Sequence, residues 1–497
     1  MSVPLAVIED IIDASGIAPA IEDMLPAGVR GRQLSVRTLL AGLMLALADG
    51  RPAHLTRVRQ ALTGLPEDDQ KRLGVIRPWQ DRPHQLTCRQ VEHTFRLITR
   101  ALAKDKPDGA PSRDLQQACD ALLEASIPHR VKTATSSLAA DWTDVEAWAR
   151  PVPHHAAGTG ADPEAAWGHR NVNLKIARGE MFYGYYLSAV TMVADEHGPA
   201  VPELTRRITA GSCAHDPAAA LAGVLTSMPA AGVALGDILA DSGYSHRVPA
   251  TWASPLRRAG AQLVHDLHPA DRGPRGTHDG AIIASGNLFC PSTPPALLAL
   301  VPLPPGAGAA DTAAHHQQTA ELARYKLGLH AAEDADGYRR HACPATAGKI
   351  RCPLRPASML LDRSRPEILA PPGHPPACCT QQTITAGPHI AEKTRQKHDY
   401  PSAAWRQSYR RRTAAERLNA TIKDTATTSI GRGWIRLMGL TPLMLSLTCL
   451  TAMRNQRILN AFDNRQGHST RHAAAGQPAK TRSKRRRELA DATPAPP

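Results

Sequence analysis

The sequence predicts an α/β protein: a helical N-terminal domain, then a sheet-and-helix core interrupted before its last helices. Three observations carry this. Apolar residues recur at helical spacing through residues 1–105. From residue 131 short β-branched and aromatic runs take over, and a capped helical run divides them. Strong helical spacing returns at about residue 400 and continues to 462.

Within residues 1–105, SVRTLLAGLMLALADG has Ser35 as an N-cap and Gly50 as a stop. The run TCRQVEHTFRLITRALAK opens with a capping box, Thr87 and Gln90, and carries Arg89, Arg96, Arg100 and Lys104. Such a basic helix suits DNA binding and suits a solvated bundle face equally well. The Arg- and Pro-rich RLGVIRPWQDRPHQ between these runs reads as a loop, and residues 105–130 as a linker and a helix. Residues 131–267 form the first part of the core. SSLAADW reads as a strand ending in an acid, MFYGYYLSAVTMVAD and VPELTRRITAG as two more strands. DPAAALAGVLTSM is a helix with Asp216 at its N-cap and Pro217 in first position. GDILADSGYS is a strand entering a turn, and QLVHDLHP a further strand. Residues 268–395 are rich in Cys, Pro and Gly and read as an insertion, within which His278-Asp279-Gly280 is a turn before a hairpin. Residues 396–462 complete the core, and 463–497 read as a basic disordered tail.

A formal net charge of +14 favours a polyanionic partner, most simply nucleic acid. With 42% hydrophobic and 21% charged residues the chain can bury a core and is not a disordered polyelectrolyte. The N-terminal MSVPLAVIEDII lacks a basic leader region, and nine cysteines form an odd set. A reducing cytoplasm with free thiols is therefore expected. LMGLTPLMLSLTCLTAM, residues 437–453, is short for a membrane span and rich in hydroxyls, so it is expected to be a buried helix. The glycines of AAGTGAD and PPGAGAAD lack the preceding strand and following helix of a nucleotide loop.

The most specific signal is YRRRTAAERLNATIK, residues 409–423. Tyr409, Arg412, Glu416 and Lys423 stand at gaps of two, three and six residues, which on one helix puts them on a single stripe. Three polar donors around one acid make a poor core face. This spacing resembles the Tyr-Arg-Glu-Lys signature of one branch of bacterial insertion-sequence DDE transposases, over roughly residues 130–460. The resemblance implies an RNase H-like catalytic core, and the strand order above fits one. It also implies two earlier acids at strand ends. LAADWTD offers Asp141 and ILADSGYS offers Asp241, where Gly243 allows a sharp turn. Asp144 and Asp237 are rivals: the first lies past the predicted strand end, the second at a strand start.

Carboxylates suit hard cations. The implied cofactor is Mg²⁺ or Mn²⁺, two ions held by Asp141, Asp241 and Glu416, for cutting at transposon ends and joining 3′ ends to a target. Tyr409, Arg412 and Lys423 are implied to hold DNA phosphates. The implied partners are double-stranded DNA with inverted-repeat ends, target DNA and a second copy of the chain in the synaptic complex, at the nucleoid and with no membrane. Two other readings share these residues: a decayed transposase that only binds DNA, and an RNase H-like nuclease without strand transfer. In the insertion, Cys290, Cys343, Cys352, Cys378 and Cys379 lack a CxxC knuckle, and their spacing favours unpaired thiols over a structural zinc. Trp405 and Trp434 read as buried rather than base-stacking.

Overall fold

The computed structural model describes residues 3–26, 34–76, 86–153, 158–170, 180–304, 306–424, 428 and 430–474. The fold is mixed α/β, built on one six-stranded mixed sheet. Its strands are β1 (Leu138–Glu146), β2 (Ala166–Arg170), β3 (Glu180–Met192), β4 (Thr205–Ser212), β5 (Asp237–Ala240) and β6 (Gln262–His265). β3 runs antiparallel to β1, β2 and β4, whereas β5 is parallel to β1 and β6 to β5. The side-chain period of two then sorts the faces. Leu138, Ala140, Ile238 and Ala240 bury against the helices Pro217–Ser227 and Ala253–Arg258. Ala139, Leu239 and Val264, one position out of phase, face Trp405, Ala414 and Ala415 from the C-terminal part of the chain.

Several local readings hold for the expected reasons. Ser35 accepts the Thr38 N–H at 3.0 Å, Thr87 and Gln90 form both halves of the capping box, and Asp216 caps the Pro217–Ser227 helix. Other expectations are corrected. β1 does not end at its acid: it stays paired with β3 as far as Glu146, so Asp141 lies in mid-strand and Asp144 is still inside it. β2 is an additional strand, recruited by pairing with the first residues of the long β3. Residues 409–423 are not one helix. Ala403–Tyr409 passes through a tight turn at Arg410–Arg412 into Thr413–Lys423. The Arg411 guanidinium reaches inward from that turn to Asp237 at 2.7 Å and to the Ala194 carbonyl at 3.1 Å.

The N-terminal helices share their hydrophobic core with the sheet. One cluster runs from Val3 through Leu47, Ile98 and Leu122 to Tyr185, Ile208 and Met453. The long helix Leu440–Ala474 passes through it, with Met444, Leu445, Cys449 and Met453 fully buried. No helix among the described residues is long and apolar enough to cross a membrane. The helix continues past residue 462 into the segment read as a tail, and residues 475–497, with the KRRR run, lie outside the described residues, as do 77–85. Residues 268–395 fold as small sheets, Pro274–His278 with Ala281–Ala284 and Asn287–Phe289, and Gly328–Ala331 with Arg339–Ala342 and Thr383–Ala386, around the helix Ala309–Tyr325.

Candidate active site

Register sets the site. Ala139 pairs with Leu239 across the parallel β1–β5 ladder, so Asp141 and Asp241 each lie two residues beyond that rung on neighbouring strands. Parallel strands lie about 4.8 Å apart, which brings the two carboxyl groups side by side. Asp241 is also the N-cap of the short helix Ser242–Ser245 and accepts the Gly243 N–H at 2.9 Å. That bond fixes its side chain. Asp141 accepts its neighbour Trp142 N–H at 2.9 Å on one oxygen and Asn419 Nδ2 at 3.0 Å on the other.

The third acid comes from the Thr413–Lys423 helix. Ala414, Ala415, Leu418 and Ile422 bury one face of it against the sheet, which leaves Glu416 on the rim with its side chain 53% exposed. Arg412, 13% exposed, sits among all three acids: it pairs with Glu416 and lies 3.8 Å from Asp141. Burial works against the guanidinium charge, but Tyr409, Asp141, Glu416 and Asp241 outweigh it and its pKa is raised. Burial and the neighbouring Asp241 charge push the Asp141 carboxyl up to about 6, against the pull of Arg412. A buried carboxylate beside a second one is a site short of positive charge.

The flanking donors divide. Tyr409 is stacked on Trp405, centroids 5.0 Å apart and planes 14° apart, with the Arg412 guanidinium 5.6 Å above its ring. Its phenol pKa is raised, by burial first. Lys423 reaches past the cluster to Asp144, which Arg170 also holds at 2.7 Å. The rival Asp144 is thereby neutralised by two cations. Asp237 is too, buried at the far end of β5 with Lys397 and Arg411. Trp405 and Trp434 are both buried, and Trp405 donates to the His265 carbonyl at 2.8 Å.

Sequence reasoning missed Asn419. It lies one helical turn past Glu416, and its i+3 position was the available signal. The reason given for Gly243 also changes. Its backbone lies outside the left-handed region, but a Cβ there would meet Trp142 Cη2 at 2.7 Å and Asp241 Oδ1 at 3.1 Å. Gly243→Ala is therefore expected to displace the Trp142 ring, which packs on Tyr244 with centroids 4.4 Å apart, and to cost about 1–3 kcal/mol. A denaturation series checks this; an unchanged midpoint would mean the ring yields freely.

The acids suit a hard divalent cation by donor type, since every donor is a carboxylate oxygen. Their oxygens do not all lie within 4.8 Å of one another, and Arg412 lies among them. Among the described residues, the ligand atoms of one other trio, His246, His268 and Asp271, all lie within 4.8 Å of one another. Lys393 already pairs with Asp271 there at 2.8 Å. Compared with known proteins, the chain matches no protein-family model and no curated protein.

Proposed function

We propose that the chain is a DNA transposase with an RNase H-like core, cutting at transposon ends and joining 3′ ends to target DNA. The observation that carries this reading is the convergence of Asp141, Asp241 and Glu416 around Arg412, from two neighbouring parallel strands and the helix that packs across them. The sheet supports it: β4-β3-β1-β5-β6, with β3 alone antiparallel to the rest, is the strand order of an RNase H-like fold, to which β2 adds one strand. On this reading the module at 268–395 is an insertion between β6 and the Glu416 helix.

Asp141, Asp241 and Glu416 would hold two Mg²⁺ or Mn²⁺ ions. Bound there, the ions supply Lewis acidity and an activated oxygen nucleophile. The protein's own groups do the rest. Asn419 and the Trp142 N–H hold the Asp141 carboxyl in one orientation, and the Gly243 N–H does so for Asp241. Arg412 offsets part of the acids' charge in the free protein. Once their charge is met, its guanidinium can turn to a DNA phosphate, for which its planar fork is suited. Tyr409 supports it from below, and Lys423 can exchange Asp144 for phosphate at the rim.

Arg89, Arg96 and Arg100 line the exposed side of the Cys88–Leu102 helix, Lys104 lies just beyond its end, and together they offer a basic face for end DNA. Two ends in one synapse call for two copies of the chain. The test is a cleavage assay on DNA bearing the inverted repeats that flank the gene. Nicks at the repeat ends and joined products are expected with Mg²⁺ or Mn²⁺, and neither with EDTA. Cutting that ignores the repeats and never joins ends favours the nuclease; full activity in EDTA sinks the metal assignment.

A further inference from the structure

Five of the nine cysteines lie between residues 268 and 395, on four separate stretches of chain, and all five are buried and free of disulfides. The fold gathers them. Cys290 follows the strand Asn287–Phe289 and Cys343 follows Arg339–Ala342, while Cys352 lies in the turns beyond. These three share one apolar cluster, and Leu354 packs against both that cluster and the one holding Cys378 and Cys379. Cys290 lies near enough to Cys343, Cys379 and Cys352, and Cys352 to Cys343 and Cys379, for their thiols to influence one another's ionisation. The Cys378 and Cys379 sulfurs are 3.9 Å apart.

Burial pushes the Cys290 thiol up to about 12 and the Cys352 thiol up as well, so both sulfurs hold their protons until a metal displaces them. Cys290, Cys343 and Cys352 each precede a proline. The Ser292 N–H beside Cys290 and the Leu354 N–H beside Cys352, each two residues beyond its cysteine, act against that rise. A backbone donor aimed at sulfur favours the anion. Arg355 also faces Cys352 and Cys379, where it would offset the charge of several thiolates. A buried thiol that serves as a small hydrophobe needs neither. The module has only small apolar clusters of its own, the setting in which a structural metal adds most to folding.

We propose that Cys290, Cys343 and Cys352, with the Cys378–Cys379 pair supplying the fourth sulfur, form a structural Zn²⁺ site that locks this module. No three of these sulfurs lie within 4.8 Å of one another, so binding draws them in, to about 2.3 Å from the metal. Four thiols release their protons to solvent as they bind. The sequence spacing, without a CxxC, concealed the site because each ligand arrives from a different turn.

The experiment is a metal count on the full-length chain, dialysed into metal-free buffer and measured by plasma mass spectrometry. One zinc per chain is expected. It should be lost from Cys290→Ser, from Cys352→Ser and from the Cys378→Ser/Cys379→Ser double variant, and kept by Cys88→Ser and Cys213→Ser. A cobalt titration of the wild-type chain, after chelator treatment, reads the same site without any variant. Thiolate-to-cobalt charge-transfer bands are expected. A metal-free chain that keeps its full circular dichroism and gives no such bands overturns the proposal, as does zinc that survives all three cysteine variants, or a Cys378–Cys379 disulfide found by mass mapping.

Discussion

In the proposed transposase, Asp241→Asn is expected to cut the DNA cleavage rate about a thousandfold or more and to leave DNA binding in place. The size follows from the charge removed: the electrostatic help of a bound cation is worth several kcal/mol in the transition state, and each 1.4 kcal/mol is about tenfold. The selectivity follows from the structure. Asn is as good an N-cap as Asp, so the bond to the Gly243 N–H and the Ser242–Ser245 turn survive the change. Glu416→Gln should behave alike, for it stands on the exposed rim and its apolar neighbours Ala415 and Leu418 do the packing. Arg412→Ala and Lys423→Ala should instead weaken binding across sequences and each lower the salt slope by about one unit. Paired measurement of cleavage rate and of affinity against salt separates the two classes. A Glu416→Gln protein that cuts at the normal rate would mean the helix is structural.

In the proposed enzyme, Asp141→Asn is expected to stabilise the metal-free protein near neutral pH by on the order of 1 kcal/mol, the relief of charge less the Asn419 bond that an amide nitrogen cannot accept, while destroying the metal response. The Asp141 carboxyl is raised to about 6, by burial first and then by Asp241. A raised acid holds its proton in the folded state longer than in the unfolded one. Its contribution is fully present below the unfolded pKa of about 4 and is lost as pH rises through about 6. Metal-free wild-type protein should therefore melt lower at about pH 7 than at about pH 5, by more than the Asn variant does. Added Mn²⁺ should recover the loss in wild type, and more so at the higher pH, since the cation competes with that proton. Parallel melting profiles for the two proteins would show that Asp141 carries no unfavourable charge.

Residues 141, 241 and 416 stand in the sequence as acids in a recognisable order, and the local grammar around them is legible. Asp216, Ser35 and Thr87 cap where they should because capping depends on residues two or three apart. The fixed gaps of the Tyr409–Lys423 signature are local in the same sense. What lies far apart in the chain was decided elsewhere. That Asp141 sits beside Asp241 is a matter of strand register, set by the Ala139–Leu239 rung. That Asp144 and Asp237 are spent on ion pairs depends on Arg170, Lys423, Lys397 and Arg411 arriving from other segments. Gly243 is small for the sake of Trp142, about a hundred residues earlier in the chain, and not for its own turn. The N-terminal helices look self-sufficient by periodicity, which reports that a face is apolar and not what covers it; the sheet and the Leu440–Ala474 helix cover it. The sequence by itself thus determined which residues could do chemistry and how each is held by its neighbours. Only the tertiary structure decided which of them meet, because burial, register and charge pairing are properties of the whole packed chain.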